Sequence, residues 1–273
     1  MRSLRCERKW GPGNKKRESA TGRRGDNGCM QYIDRRTMLC AIAGGVLAAT
    51  TGAPVVGARP IRWQIPLGPV SPAIVITRLP GDTNQIALTV DDGGSTSVVG
   101  AFAQFAHDSG TRLTFFVNGV NPSWSVNAPA LRPLVDSGQV QMANHTWSHP
   151  NLTRIGLGAV ADQIRRNADF LRNTYGVDGT PFLRPPFGAH NADTDRIAAD
   201  QGFTMITLWS GDVGDSAPES ESSLIARATK SFQPGQIVLM HANLPTITHC
   251  YGQLLDLVHS RNLQTVTLKD VFA

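Results

Sequence analysis

Cysteine is scarce in this chain of 273 residues: there are four, and Cys6, Cys29 and Cys40 all fall within the first 58 positions. The body keeps only Cys250, which excludes an internal disulfide framework there; a domain of this size relies on its core instead. Long apolar runs are also lacking. The longest candidate, Met38–Thr50, has 13 residues, too short for a bilayer span of about 20. The body has no excess of positive charge either. Residues 1–58 carry 11 Lys and Arg against 4 Asp and Glu, whereas the remainder carries 15 against 17. The overall charge of +5 therefore belongs to the leader. A faintly acidic body argues against nucleic acid as partner, because phosphate binding needs a concentrated cationic face. With 41% hydrophobic residues the chain can bury a core, and its composition is not that of a disordered segment.

The leader has its own order. Arg35 and Arg36 precede a Gly/Ala-rich apolar run, and Val56-Gly57-Ala58 supplies small residues at its end. This is the arrangement of a twin-arginine export signal with cleavage after Ala58. Residues 1–29 are basic and without periodicity, and Met30 is an alternative start that would give a compact leader. Cys40 stands at the beginning of the apolar run and not its end, which disfavours a lipid anchor. The expectation is an exported protein, periplasmic, cell-wall-associated or extracellular, that meets a membrane only during export.

Residues 59–83 are rich in proline and read as an irregular lead-in. From residue 84 short β-like runs alternate with helical segments. The strands expected are 85–90, 112–117, 140–144, 181–184, 203–208, 236–240 and 264–268. The helices expected are 95–107, 128–137, 159–174, 192–201, 222–231 and 254–261. Such alternation implies a parallel sheet, and seven strands in about 190 residues suit a closed or nearly closed barrel.

Several of these strands end in reactive residues, where a barrel of this type gathers its chemistry. The first ends Thr89-Val90-Asp91-Asp92-Gly93-Gly94. Two adjacent carboxylates after a β run either bind a cation or form a solvated turn that caps the next helix. The third ends His145-Thr146-Trp147-Ser148-His149. Histidines at i and i+4 of a helical turn can hold one metal, and Asp92 would complete a set that leaves a position open for water. The fourth ends Arg184-Pro185-Pro186-Phe187-Gly188, the fifth Trp209-Ser210-Gly211-Asp212-Val213-Gly214-Asp215, and the sixth Leu239-Met240-His241. Each has an ordinary reading alone, but five in succession on one architecture make those readings jointly implausible.

Residues 84–270 resemble the polysaccharide deacetylases of carbohydrate esterase family 4. Thr89–Gly93, His145–His149, Arg184–Gly188 and Leu239–His241 correspond to four of that family's motifs. The resemblance implies a distorted (β/α)7 barrel over residues 84–273 and a divalent metal, zinc above all, with cobalt or nickel compatible. It implies Asp92, His145 and His149 as ligands, Asp91 as base, Arg184 as the partner that keeps Asp91 ionised, and His241 as acid. Metal-activated water would then remove N-acetyl groups from a GlcNAc- or MurNAc-containing glycan. The backbone of Phe187 would face the developing oxyanion, and Leu239 would wall the acetyl pocket. One motif departs from the pattern: Ser216 stands where the family has Trp. Asp215 is the better match for orienting His241, with Asp212 in reserve, and Trp209, Trp147 or Met240 is expected to fill the missing wall. Trp124, in the segment Asn121–Asn127, is a candidate for stacking on a sugar ring, and Pro245–Tyr251 is a second candidate substrate loop. A monomer is expected. Two other readings are a related amidase acting on a small amide and a carbohydrate-binding homologue without catalysis.

Overall fold

A computed structural model describes residues 72–272. The basic leader and export signal expected from the sequence, and the first part of the expected lead-in, lie outside the described residues. Nine strands are present among these: β1 (Ile74–Ile76), β2 (Gln85–Asp92), β3 (Leu113–Val117), β4 (Val140–Asn144), β5 (Phe182–Leu183), β6 (Met205–Thr207), β7 (Gly211–Asp212), β8 (Ile237–His241) and β9 (Gln264–Val266). The helices are α1 (Thr96–Ser109), α2 (Pro122–Val126), α3 (Ala128–Asp136), α4 (Leu157–Tyr175), α5 (Ala192–Ala199), α6 (Glu221–Ser231), α7 (Tyr251–Ser260) and α8 (Leu268–Phe272).

The strands form one sheet in the order β1-β6-β5-β4-β3-β2-β8-β7, with β9 beside the first half of β2. The ladders are parallel throughout. The sheet curls into a distorted (β/α) barrel whose wall is interrupted between β1 and β7. A single antiparallel bridge between Arg78 and Gln236, with the Leu79 N–H donating to Gly235 at 2.9 Å, crosses part of that gap. β1 falls inside the stretch read as an irregular lead-in. β7, α2 and α8 are likewise additions to the elements expected from sequence.

Period-two alternation explains the layering. On the outer faces of β2, β3, β4 and β8, Ile86, Leu88, Val90, Phe115, Val117, Val140, Met142, Val238 and Met240 pack against the helical layer in one large core. α1 contributes Val98, Val99, Phe102, Ala103 and Ala106 at helical spacing; Ser95 caps its start, and Gly110, at φ 71°, closes its end in the left-handed conformation. The alternate residues point inward. Ala87, Phe116, Ala143, Phe182 and Ile237 fill the barrel together with Ile76, Val266 and Leu268. Two inward polar residues below them serve α8: Thr114 Oγ1 accepts from the Leu268 N–H at 3.1 Å, and Gln141 Oε1 accepts from the Lys269 N–H at 2.9 Å. The terminal helix thus plugs the bottom of the barrel with its first turn satisfied by strand side chains. The upper ends of the same inward rows, at Asp91, His145, Arg184 and His241, open into a cleft.

Candidate active site

The cleft has a volume of about 420 Å³ and is lined by Asp91, Asp92, His145, His149, Pro185, Phe187, Trp209, Asp212, Ser216, Leu239, His241 and Asn243. A larger cleft of about 700 Å³ lies at the opposite end of the strands. Its Arg112 and Arg172 are paired with Asp270 and Asp178, and it gathers none of the motif residues.

Sequence expectation placed His145 and His149 on a helical turn. The structure instead has a bend directly after β4, with Thr146 at φ 71° and His149 at φ 60°. Two left-handed residues turn the chain back within one bend, so both rings reach the same point without a helix. Asp92, at φ 73°, ends β2 in the same conformation, and Phe187, at φ 61°, follows β5. Three of the five non-glycine residues with positive φ among those described, Asp92, His149 and Phe187, therefore line this cleft, and Thr146 directly follows the lining His145, the concentration of backbone strain expected of a functional site.

Asp92 Oδ1 lies 3.3 Å from His145 Nε2 and 3.4 Å from His149 Nε2. Donors held around a tetrahedral zinc at 2.0–2.1 Å stand about 3.3 Å apart, so the set fits a first-row divalent ion. Asp92 Oδ1 is buried and has no hydrogen-bond partner, a costly state for a carboxylate oxygen that an ion relieves. His145 Nδ1 is 2.7 Å from the carbonyl of Arg184. A carbonyl only accepts, so this nitrogen carries the proton and Nε2 is free for an ion. Burial pushes the Asp92 carboxyl up, but His145, Asn243 and His149 together outweigh it and hold the group below the usual carboxylate range. Burial, followed by His145, pushes His149 down toward its neutral form, the form a metal requires.

Asp91 is buried beside this set. Arg184 Nη1 donates to Asp91 Oδ1 at 2.7 Å and to Thr89 Oγ1 at 2.8 Å; Nε donates to the carbonyl of Thr207 at 3.1 Å and Nη2 to that of Leu208 at 3.2 Å. The guanidinium lies over the Phe116 ring at 4.1 Å. A fully buried arginine is tolerated because its donors are met on several sides and its charge is paired. On the far side of Asp91, in register with it on β8, stands His241. Asp215 accepts from His241 twice, from the backbone N–H and from Nδ1, each at 2.9 Å. Asp212 instead accepts from the Gly214 N–H. Burial alone would lower the His241 pKa, but the bond to Asp215 and the charges of Asp91 and Asp92 raise it to about 9.

Leu239, inward on β8, and Trp209 form one wall of the cleft beside Ser216. A Cβ on Gly188 would stand 3.3 Å from Trp209 Cη2, so the glycine makes room for the indole. Of the three residues expected to replace a wall at Ser216, Trp209 alone lines the cleft. Trp147 packs on Phe170 and Arg166, and Met240 faces the outer core. Phe187 is 68% exposed, with its ring 4.6 Å from that of His149.

Trp124 does not stack on a sugar. It is fully buried on α2, and its Nε1 donates to the backbone carbonyl of Asp92 at 2.9 Å. The segment Asn121–Asn127 is a helix against the core, and Pro245–Tyr251 forms a 3-10 turn leading into α7 that contributes nothing to the cleft lining.

Sequence reasoning missed the asparagines. Asn118 Nδ2 donates to the carbonyls of His145 and Thr146 at 2.5 and 3.0 Å. Asn144 Oδ1 accepts from the Thr146 N–H at 2.8 Å, and Asn167 on α4 links Asn144 to the end of β3. This network holds the histidine bend. The available signal was Asn167 itself, a polar residue among Val160, Ile164, Ala168 and Leu171 on the buried face of α4. Asn243, which touches Asp92, left no periodic signal.

The curled parallel barrel gathers at its strand ends a His-His-Asp cluster, a buried Asp–Arg pair and an Asp–His pair, groups suited to hold a divalent ion and to move protons beside it. Residues 78–206 match the family described as Polysaccharide deacetylase, which bears out the resemblance of the motifs. A peptidoglycan-N-acetylglucosamine deacetylase of Bacillus cereus is 26% identical over 197 residues, 71% of this chain and 70% of the relative. The peptidoglycan-N-acetylglucosamine deacetylase PgdA of Listeria monocytogenes is 30% identical over 190 residues, 69% of this chain, which spans 39% of that longer protein. The solved structure of the Bc1960 peptidoglycan N-acetylglucosamine deacetylase shares the fold at a TM-score of 0.65 and 24% identity, over 72% of this chain and 92% of that one.

Proposed function

We propose that the chain is an exported, metal-dependent hydrolase that removes N-acetyl groups from cell-wall or chitin-like glycan. The observation that carries this reading is the orphaned, buried Asp92 Oδ1 facing His145 and His149, immediately beside an Asp91 paired with Arg184. The names of the relatives support an N-acetylated glycan as substrate.

Asp92, His145 and His149 would hold the metal, zinc by their chemistry, which would supply a Lewis acid for the acetamide carbonyl and for water. Asp91 then takes the proton of the attacking water. Arg184 pairs with that carboxylate and fixes one of its oxygens, leaving Oδ2 for the transfer. The backbone N–H of Phe187 is assigned to the carbonyl oxygen as charge develops on it. His241, oriented through Nδ1 by Asp215, delivers a proton from its other ring nitrogen to the departing amine. Water adds to the carbonyl carbon, the C–N bond breaks, and acetate and a free amino sugar leave. Trp209 and Leu239 would flank the acetyl methyl.

The test is acetate release from N-acetylchitooligosaccharide and from peptidoglycan, by wild type and by Asp91→Asn. Asn is nearly isosteric but a poor proton acceptor, so kcat should fall by about 10²- to 10⁴-fold with zinc content unchanged. Acetate release retained in that variant would move the base elsewhere. Turnover of small amides in place of either glycan would redirect the substrate class.

Export is supported by Arg35-Arg36, the short apolar run and the charge split between leader and body. Replacing both arginines by lysine should leave precursor inside the cell; unchanged export would exclude the twin-arginine route.

A further inference from the structure

We infer that Asn243 is a positioning residue of the metal centre, one that orients Asp92 before any ion arrives. The inference rests on the reading of Asp92, His145 and His149 as the ligand set. Asn243 lies two residues beyond His241, just past the end of β8. Its Nδ2 donates to Asp92 Oδ2 at 2.7 Å, and its Oδ1 accepts from the Gly94 N–H at 2.8 Å. A carboxylate only accepts and a backbone N–H only donates, so the two contacts fix which end of the amide faces which. Asp92 Oδ2 is thereby committed to the amide. Its Oδ1 is left without a hydrogen-bond partner, facing the two histidines.

Asp92 needs this hold from the side-chain end. Its backbone, at φ 73°, is gripped at the carbonyl by Trp124 Nε1 and Asn121 Nδ2, both at 2.9 Å. Those bonds fix the Cα but leave the carboxylate free to rotate, because the terminal torsion of aspartate is broad. Asn243 removes that freedom. The sequence makes room for it: a Cβ on Gly94 would come within 2.7 Å of Asn243 Oδ1, so the second glycine of Asp91-Asp92-Gly93-Gly94 is needed for the amide to approach. Asn243 also ties the strand that carries His241 to the ligand on β2, so one short segment serves both halves of the site.

Losing the outer partner of a ligating carboxylate typically weakens metal binding by about 10- to 100-fold. The experiment measures zinc affinity by chelator competition for the purified wild type, Asn243→Ala and the near-isosteric Asn243→Leu, together with near-UV circular dichroism and melting of each chain without metal. The expected result is zinc affinity about 10- to 100-fold weaker in both variants, with metal-free spectra and melting unchanged. Gly94→Ala, which displaces the amide, should weaken zinc in the same direction, and adding it to Asn243→Ala should cost little more, because both act through one contact. Zinc affinity equal to wild type in the Asn243 variants overturns the inference. So does a loss accompanied by a collapsed metal-free spectrum, which would make Asn243 a structural residue. A wild type that binds no zinc would instead overturn the metal reading itself, and that is seen before any variant is compared.

Discussion

At the scale of single residues, the cleft separates its titrating groups by environment. Asp91 faces a guanidinium, and His241 faces a carboxylate. The protonated form of His241 is the one that serves as acid. With a pKa raised from 6.5 to about 9, it stays protonated across neutral pH, and the acid function is lost as pH rises through about 9. Asp215→Asn removes the hydrogen-bonded charge that contributes most to raising this value, while burial, which lowers it, and the charges of Asp91 and Asp92, which raise it, remain. The alkaline limb of kcat should then move from about 9 toward neutral pH, and kcat above the new limb should fall with the protonated fraction of His241. An alkaline limb that stays in place would detach Asp215 from the acid. The residue types were legible from the sequence because Asp, His and Arg at the ends of buried β runs have few other reasons to be there. Trp124 and Asn243 were not legible. Their meaning lies in hydrogen bonds to Asp92 across 32 and 151 positions, and neither leaves a pattern along the chain.

At the scale of elements, the inward rows of the strands do two jobs in sequence. Ala87, Phe116, Ala143, Phe182 and Ile237 make the dry interior, and two to four residues further along the same rows come the polar groups of the cleft. A strand register set by burial therefore also sets the catalytic geometry, since a one-residue slip would turn Asp91 outward. The helix α8 closes the other end. Leu268 is fully buried in the interior cluster, so Leu268→Ala should cost about 2–5 kcal/mol in urea unfolding; a loss under about 1 kcal/mol would show that the plug does not support the barrel. The seven main strands were readable as apolar β runs. β1 has three residues and β7 two, too few to show any period, and both depend on neighbours for their pairing. The bend of His145–His149 was misread as helical because i, i+4 spacing suits a helix. It departs from one because Asn118 and Asn144, residues from other parts of the chain and from the strand itself, hold Thr146 in the left-handed region.

At the scale of the whole molecule, a body with slightly more acidic than basic residues follows a strongly basic segment over residues 1–58. No helix among the described residues is long and apolar enough to cross a membrane. The cleft lies at the carboxyl ends of the strands, the face on which barrels of this kind carry their chemistry, and its mouth is bordered by exposed Phe187. All of the chemistry proposed for that face depends on three side chains holding one ion. The most direct measurement strips the purified protein with a chelator, restores zinc in steps, and follows bound zinc and acetate release from N-acetylated glycan together, in the wild type and in Asp92→Ala, His145→Ala and His149→Ala. Three ligands leave none to spare. The wild type should regain acetate release in proportion to zinc up to one ion per chain, and each variant should lose both. Acetate release that persists without metal, or full zinc occupancy in any of the three variants, would contradict this assignment.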